Sequence, residues 1–169
     1  MTPSEFRADC SNCAALCCLA LAFDRGEMFA HDKPAGTPCH RLGLRDSEFA
    51  CSIHEDLAQK GYRGCVAFDC LGAGQRVSAL FSDTWKSRPE LTAPMMEAFR
   101  IMRQLQELHQ MLTAARALPL PEDKLAELSD RIAQVDTAKR DLESLHCFDP
   151  KPARDWLKSL APFISRQGA

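Results

Sequence analysis

Cysteine is concentrated in the first seventy residues of this chain. The stretch CSNCAALCC, residues 10–18, holds four cysteines, and a ninth cysteine, Cys147, stands far from the rest. The other four are Cys39, Cys51, Cys65 and Cys70. A chain of 169 residues can form one domain, or a small metal-binding module joined to a helical one. The fold of the first part therefore depends on whether its thiols pair as disulfides, act in redox chemistry or bind metal.

The remaining composition is typical of a cytoplasmic protein. The formal net charge is −2 with mixed charges and no basic stripe, so we expect no nucleic-acid partner. The longest apolar run, LCCLALAF at 16–23, is too short to span a bilayer, and the start MTPSEFRADC does not resemble a secretory signal. In a reducing compartment, dense cysteines are more often metal ligands or redox groups than disulfides.

Sequence patterns change near residue 75, which predicts a cysteine-rich metal-binding lobe over 1–75 and a helical part over 76–169. In the first part, Pro and Gly interrupt the chain at DKPAGTPCH, residues 32–40. We expect a helix over 4–19, another over 53–60 and a short strand near 65–69. The remainder of this part is predicted to be irregular.

The second part shows the apolar spacing of amphipathic helices. Apolar residues recur every three or four positions from Met95 to Ala115, LPLP at 118–121 interrupts the pattern, and a second stripe runs from Leu125 to Leu145. A third helix is predicted over 153–165, and His109 is expected to be a surface or half-buried helix residue rather than a ligand. The predicted fold class is mainly α, with an irregular cysteine-rich lobe, organised by metal, packed on an α-helical hairpin or three-helix bundle.

The cysteine spacing itself indicates metal binding. In a helical 10–18 segment, Cys10, Cys13 and Cys17 would share one face, and Cys18 would point to a second centre or into the core. In a loop, the C-x2-C pair is still the usual chelate spacing for zinc. Either geometry brings two or three sulfur atoms together. We expect Cys147, which has no neighbouring cysteine, to be structural.

The candidate ligands exceed the needs of one tetrahedral zinc, which four thiolates satisfy. They are Cys10, Cys13, Cys17, Cys18, Cys39, Cys51, His54, Cys65 and Cys70. His40, next to Cys39, is a further candidate. The surplus implies two centres, a binuclear site with a bridging thiolate, or an iron–sulfur cluster with some cysteines left structural. The sequence does not distinguish a zinc site from an iron site.

The order of CSNCAALCC, CSIHEDL and CVAFDC resembles the CxxCxxxCC cysteine-cluster family of zinc- or iron-chelating domains. The family's C-x-I-[YH] segment corresponds to Cys51, Ile53 and His54, and its C-x4-C pair to Cys65 and Cys70. The family usually keeps an Arg-Pro and a shorter gap between these two elements, whereas here EDLAQKGYRG lies there without a proline. The resemblance implies a metal-chelating module.

A second resemblance covers more of the chain. The segments DKPAGTPCHRL, CSIHEDLAQKGYRGCVAFDCLGAGQRVS and FRIMRQLQELHQML are similar to the cysteine-rich leader of certain bacterial pentapeptide-repeat proteins. In those proteins, repeats with a Leu or Phe every five residues follow the leader, and this sequence has none. The resemblance implies a bacterial protein and a shared module, with no established reaction.

Together these features predict a metal-binding protein with a structural or protein-interaction role, whose partners are a metal ion and another protein. A metalloenzyme, and a redox or metal-carrier protein, are alternatives that use the same cysteines. A metal-free thiol switch is a further alternative, since low-pKa exposed cysteines suffice for it. No catalytic residue is selected: HED at 54–56 begins like a zinc-protease motif, but Ala58 stands where the second His would be.

Overall fold

The computed structural model describes residues 4–43 and 49–164, and it confirms the predicted fold class, mainly α. Within those ranges, strand pairing is limited to two isolated antiparallel bridges, Phe23 with Lys33 and Leu42 with Cys51. The chain divides into two compact units, 1–100 and 101–169. The clustered cysteines all belong to the first unit and Cys147 to the second. Residue 75 lies inside a helix, and the functional division there stays a prediction.

Short helices separated by irregular segments build the first unit. Its 3-10 turns are Ser4–Phe6, Cys10–Asn12, His54–Asp56 and Pro89–Leu91. Its α-helices are α1 (Leu16–Ala20), α2 (Arg63–Ala67), α3 (Ala73–Ala79) and the beginning of α4 (Thr92–Ala115). None of the first three exceeds seven residues, so tertiary contacts rather than helix propensity must hold them in place.

Three local predictions for the first unit are wrong. The helix expected over 4–19 is interrupted because Cys13 is extended and Ala15 adopts the left-handed conformation with φ 53°. Of the helix expected over 53–60, only the 3-10 turn His54–Asp56 forms. The run CVAFD, expected as a strand, begins inside α2, because the carbonyl of Tyr62 accepts the backbone N–H groups of residues 65 and 66.

Helix α3 anchors the first cysteine segment through side chains. Gln75 accepts the backbone N–H of Asp9 at 3.2 Å and donates to the carbonyl of Arg7 at 2.8 Å. The hydroxyl of Ser78 accepts the backbone N–H of Ala14 at 2.9 Å. Such side-chain bonds satisfy backbone groups that have no ladder partner, so the irregular segment is positioned without strands.

The second unit contains the remainder of α4, then α5 (Glu122–Ala138), α6 (Leu142–Cys147), α7 (Lys151–Ser159) and α8 (Ala161–Ile164). Its buried apolar side chains lie on the predicted stripes and include Met102, Leu105, Leu108, Leu112, Leu128, Ile132, Val135, Leu145, Trp156 and Leu160. The second stripe is not one helix. It breaks before Asp141, whose carboxylate caps α6 by accepting the N–H of Ser144 at 2.7 Å.

A buried polar network joins α4 to the end of α5. The ammonium of Lys139 lies 2.7 Å from Nδ1 of His109 and donates to Gln106 at 3.1 Å and to Asp136 at 3.0 Å. His109 is 2% exposed, so the expectation of a surface or half-buried position is wrong. Its partner Lys139 lies in the turn after α5, which the apolar pattern does not reveal.

The segment 20–61 has almost no apolar interior. Of its described residues, only Lys33 and Ile53 are buried. Cys39, Cys51 and His54 all lie in this segment. Backbone hydrogen bonds, aromatic contacts and the Lys33 side chain hold it instead of a continuous core. Among the described residues, none of the helices combines the length and apolar character needed to cross a membrane.

Candidate metal site

All nine cysteines lie among the described residues, and each is a free thiol. Cys10 and Cys147 are exposed, and the other seven are half-buried. Free, partly buried thiols are available both to metal ions and to redox chemistry. The clustered cysteines of the first unit fall into two groups, which we call the first and the second thiol group.

The first thiol group consists of Cys10, Cys13, Cys17 and Cys70. Burial raises the pKa of Cys10 to about 11, and the neighbouring charges of Cys17, Cys13 and Cys70 act in the same direction. Burial also raises the pKa of Cys13. Because thiolates repel one another, ionising this group without a cation is unfavourable. A bound metal ion reverses that balance.

Unusual backbone geometry occurs beside cysteines of the first thiol group. Ala15, between Cys13 and Cys17, and Leu71, after Cys70, both have positive φ, 53° and 51°. A left-handed conformation costs a residue with a side chain roughly 1–2 kcal/mol, and such strain concentrates at functional sites. Gly74 of α3 also contributes, since a Cβ there would lie 2.6 Å from the sulfur of Cys13. Only glycine lets that sulfur pack against α3.

The second thiol group consists of Cys18, Cys39, Cys51 and Cys65. The backbone N–H of Cys39 donates to the carbonyl of Cys18 at 3.0 Å. Burial raises the pKa of Cys65 to about 11, and the charges of Cys17, Cys39 and Cys51 add to this effect. Burial likewise raises the pKa of Cys51. These four sulfur atoms therefore share one electrostatic environment.

The position of α2, which carries Cys65, depends on a glycine. The backbone N–H of Gly64 donates to the carbonyl of Met28 at 2.9 Å. A Cβ at Gly64 would overlap the ring of Phe29, which itself stacks on Phe23 with ring centroids 4.1 Å apart. The close approach of this backbone to the aromatic pair fixes α2 against the irregular segment.

Cys17 connects the two thiol groups. Its thiolate accepts a hydrogen bond from the thiol of Cys18, which lowers the pKa of Cys17 to about 7. The same bond raises the pKa of Cys18, and burial acts in the same direction. One sulfur of this adjacent pair is thus ready to act as a thiolate near neutral pH, while its neighbour keeps its proton.

Lys33 places a buried positive charge beside the second thiol group. It is 4% exposed. Its ammonium donates to the carbonyl oxygens of Leu19, Pro34 and Thr37 at 3.2, 3.2 and 2.9 Å. Burial lowers the pKa of Lys33, and the charges of Cys39 and Cys18 oppose that shift. The side chain therefore ties the loop before Cys39 to the end of α1 and offsets negative charge on the thiolates.

The tightest set of potential ligands is His31, Cys39 and His40. Their ligand atoms all lie within 4.8 Å of one another, and no other such group of His, Cys, Asp or Glu occurs in the described part of the chain. The histidine rings meet edge to face with centroids 4.1 Å apart. Burial lowers the pKa of His31, which favours the neutral form of its imidazole. A neutral imidazole is the form that binds metal.

Of the nine predicted ligands, only Cys39 belongs to this tightest set. His54 is exposed in its 3-10 turn and lies outside this set, and among the described residues no three of the other cysteines come as close together. The predicted ligand set as a whole stays a prediction. His31 was absent from it because one histidine in a loop carries little signal. The sequence feature that could have indicated His31 is the pair of histidines at the two ends of the loop sequence HDKPAGTPCH.

Comparisons with known proteins give one informative match. The chain is 38% identical over 138 residues to the uncharacterized protein YybG of Bacillus subtilis, a match that covers 80% of this chain and 48% of YybG. The chain thus spans about half the length of this curated relative. No family model matches the chain, and no solved structure matches it significantly. Since the name of the relative states no activity, the chemistry of the site has to carry the functional argument.

Proposed function

We propose that this protein binds zinc or iron through the thiolates of its first unit, with His54 as a further ligand. The observation that carries the proposal is that the first unit holds eight free thiols, which influence one another's ionisation in two groups, with Cys17 acting on members of both. Thiolates are soft ligands that select zinc and iron–sulfur clusters. Eight of them in one unit, without a disulfide, match the ligand needs of such metals.

The division into two thiol groups favours more than one metal ion. Four thiolates complete one tetrahedral zinc, so each group supplies the ligands of one centre. Because Cys17 also interacts with the second group, a bridging thiolate is an alternative arrangement. An iron–sulfur cluster is the third form that this donor set accommodates.

The proposed role of the metal is structural, and the ordered surface would bind a protein partner. Segment 20–61 has only two buried residues among those described, so metal bonding supplies the cross-links that an apolar core provides elsewhere. The free thiols suit the reducing cytoplasm, which we propose as the location of the protein.

A thiol switch is the second candidate, because a specific observation favours it. Cys17 has a pKa of about 7 and lies next to Cys18, so it would be the first thiol to react with an oxidant. In this alternative, the reduced protein holds no metal. Metal content therefore separates the two candidates.

The test is anaerobic purification followed by elemental analysis and an absorption spectrum. The wild type is expected to hold up to about two zinc ions per chain without colour, or iron and sulfide with broad visible bands. Cys17→Ser is expected to lose at least half of the metal, because this residue serves both groups. Cys147→Ser, an exposed cysteine of the second unit, is the matched control and should keep it all.

If the purified protein contains no metal, reconstitution with added metal under reducing conditions shows whether it can bind metal at all. If the fully reduced wild type neither contains metal nor takes up added Zn²⁺ or Fe²⁺, the proposal is wrong and the thiol switch is favoured. Equal metal content in Cys17→Ser and Cys147→Ser would contradict the assignment of Cys17 as a shared ligand.

A further inference from the structure

His31 has a buried ring nitrogen that needs an explanation. Its Nδ1 is inaccessible to solvent and has no hydrogen-bond partner among the described residues. A buried polar atom left without a partner loses its hydration and gains nothing in return. Such atoms are rare in folded proteins, and a metal ion is one of the recognised partners that a metal-free structure omits.

The surroundings of His31 hold its ring in one orientation. The ring packs edge to face against Phe23, with centroids 5.1 Å apart, and against Tyr62 at 5.5 Å. The ring of His40 lies on a third side of His31. Nε2 of His40 is itself 3.5 Å from the Tyr62 hydroxyl. A metal-binding histidine usually has such a partner, which orients the ring through the nitrogen that does not bind the metal.

The spacing of the donor atoms suits a small tetrahedral ion. With Zn–N about 2.0 Å and Zn–S about 2.3 Å, neighbouring donors lie roughly 3.3–3.8 Å apart. The donors of His31, Cys39 and His40 lie within 4.8 Å of one another, so the closing movement is no more than about 1.5 Å. Two imidazoles and one thiolate form a set that zinc and cobalt(II) accept.

The geometry points to a second kind of metal site in the first unit, in which His31, Cys39 and His40 bind a divalent ion of the zinc class and leave one coordination position open. This inference rests on the proposed function, since Cys39 also belongs to the second thiol group. No fourth ligand lies within the same distance among the described residues. His40 is exposed and Cys39 half-buried, so solvent and small ligands reach the ion.

An open position and an accessible ligand make this the exchangeable site of the protein. Structural zinc sites are closed by four protein ligands, whereas sites with three protein ligands keep a water or another exchangeable group. The ion at this site would therefore leave to a chelator before the ions held by thiolates alone. Because Cys39 also belongs to the second thiol group, an incoming ion would bind at this site before it reaches the other cysteines of that group.

The test uses His31→Phe and His40→Phe in the full chain. Phenylalanine keeps the aromatic packing and removes the ligand nitrogens, and His31→Phe also removes the unpartnered buried atom. His146→Phe is the matched control, because His146 is exposed in α6 of the second unit. Each protein is loaded with Zn²⁺, and its release to a colorimetric chelator is followed over time. Unfolding is measured after complete chelation.

The wild type and the control are expected to release zinc in a fast and a slow phase. Both histidine variants should lose the fast phase and keep the slow one, and metal-free His31→Phe should be at least as stable as the metal-free wild type. If zinc binds but the fast phase persists in both variants, the inference is wrong and the proposed function stands. If the wild type binds no zinc, the inference is wrong, and if it takes up no Fe²⁺ either, the proposed function is wrong as well. If His31→Phe does not fold, zinc release from His40→Phe, which changes an exposed residue, tests the inference instead.

Discussion

Segment 20–61 and the helical unit 101–164 are held together by different means. In the helical unit, leucines on α4 and α5 are removed from water, and Lys139 completes a buried polar network. In segment 20–61, only Lys33 and Ile53 are buried among the described residues. One region follows the hydrophobic pattern of its helices, whereas the other depends on a few polar and aromatic contacts.

The comparison shows what metal binding would add. A buried leucine contributes about 1.5–3 kcal/mol by leaving water, and the helical unit has many. Segment 20–61 lacks that source, while structural zinc contributes roughly 10–16 kcal/mol of binding free energy in small domains. The metal binding that we propose would supply segment 20–61 with stabilisation that its few buried residues do not provide.

The largest expected effect is the pH dependence of metal affinity. In the metal-free protein, burial raises the pKa of Cys10 and of Cys65 to about 11, so both are protonated at neutral pH. Metal must displace these protons, and its affinity should rise with pH, roughly tenfold per pH unit for each proton displaced. Competition titrations with Zn²⁺ between pH 6.5 and 8 measure the slope. An affinity independent of pH would mean that these thiols are not ligands.

The helical unit can be weakened separately through its core. Leu108 is fully buried in α4, and Leu108→Ala should lower the free energy of unfolding by about 3 kcal/mol through lost contacts and a cavity. Leu125→Ala, at a position that is 40% exposed, is the control and should change it by less than about 1 kcal/mol. Thermal unfolding measures both. Metal content should remain that of the wild type, and its loss in Leu108→Ala would contradict the contrast between the regions.

Within segment 20–61, Lys33 is the buried side chain whose contacts we expect to stabilise the fold, as Leu108 does in the helical unit. Lys33→Met removes the three hydrogen bonds that the ammonium donates to carbonyl oxygens, which should cost about 2 kcal/mol. Zinc affinity should fall as well, because the thiolates lose a neighbouring positive charge. Lys60→Met, at an exposed position of the same segment, is the control for both readouts. Unchanged stability and affinity would show that Lys33 is dispensable there.

A smaller effect is expected from Trp85. Its indole N–H donates to the carbonyl of Ala14, next to Cys13, at 2.7 Å. Trp85→Phe should cost about 1 kcal/mol, because the ring packing remains and one buried bond is lost. Trp156→Phe is the counterpart in the second unit, and each variant leaves one tryptophan as a fluorescence reporter. If chelation changes the fluorescence of Trp156 and not that of Trp85, the assignment of metal to the first unit is wrong.

The long helices were predictable because their cause is local. The apolar stripe from Met95 to Ala115 matches α4, and the acids after Pro121 mark the start of α5. The break before Asp141 was missed, since apolar residues continue on both sides of it. The periodicity of apolar residues indicates which face of a helix is buried. It does not indicate where a helix is capped, as α6 is by Asp141.

The first unit was less predictable because tertiary contacts decide its short helices. Nothing in the local sequence requires a left-handed Ala15, and α2 and α3 approach their neighbours through Gly64 and Gly74. The expected reducing compartment argued against disulfides, and the nine cysteines are free thiols. The cysteine spacing did not predict His31, which the fold brings to Cys39 and His40.

Amide hydrogen exchange with and without metal tests the central claim most directly. The metal-loaded protein and the chelated, reduced protein are digested and compared peptide by peptide. We predict that peptides from segment 20–61 lose protection on chelation, while those from α5 and α7 keep theirs. Equal protection of segment 20–61 in both samples would contradict it.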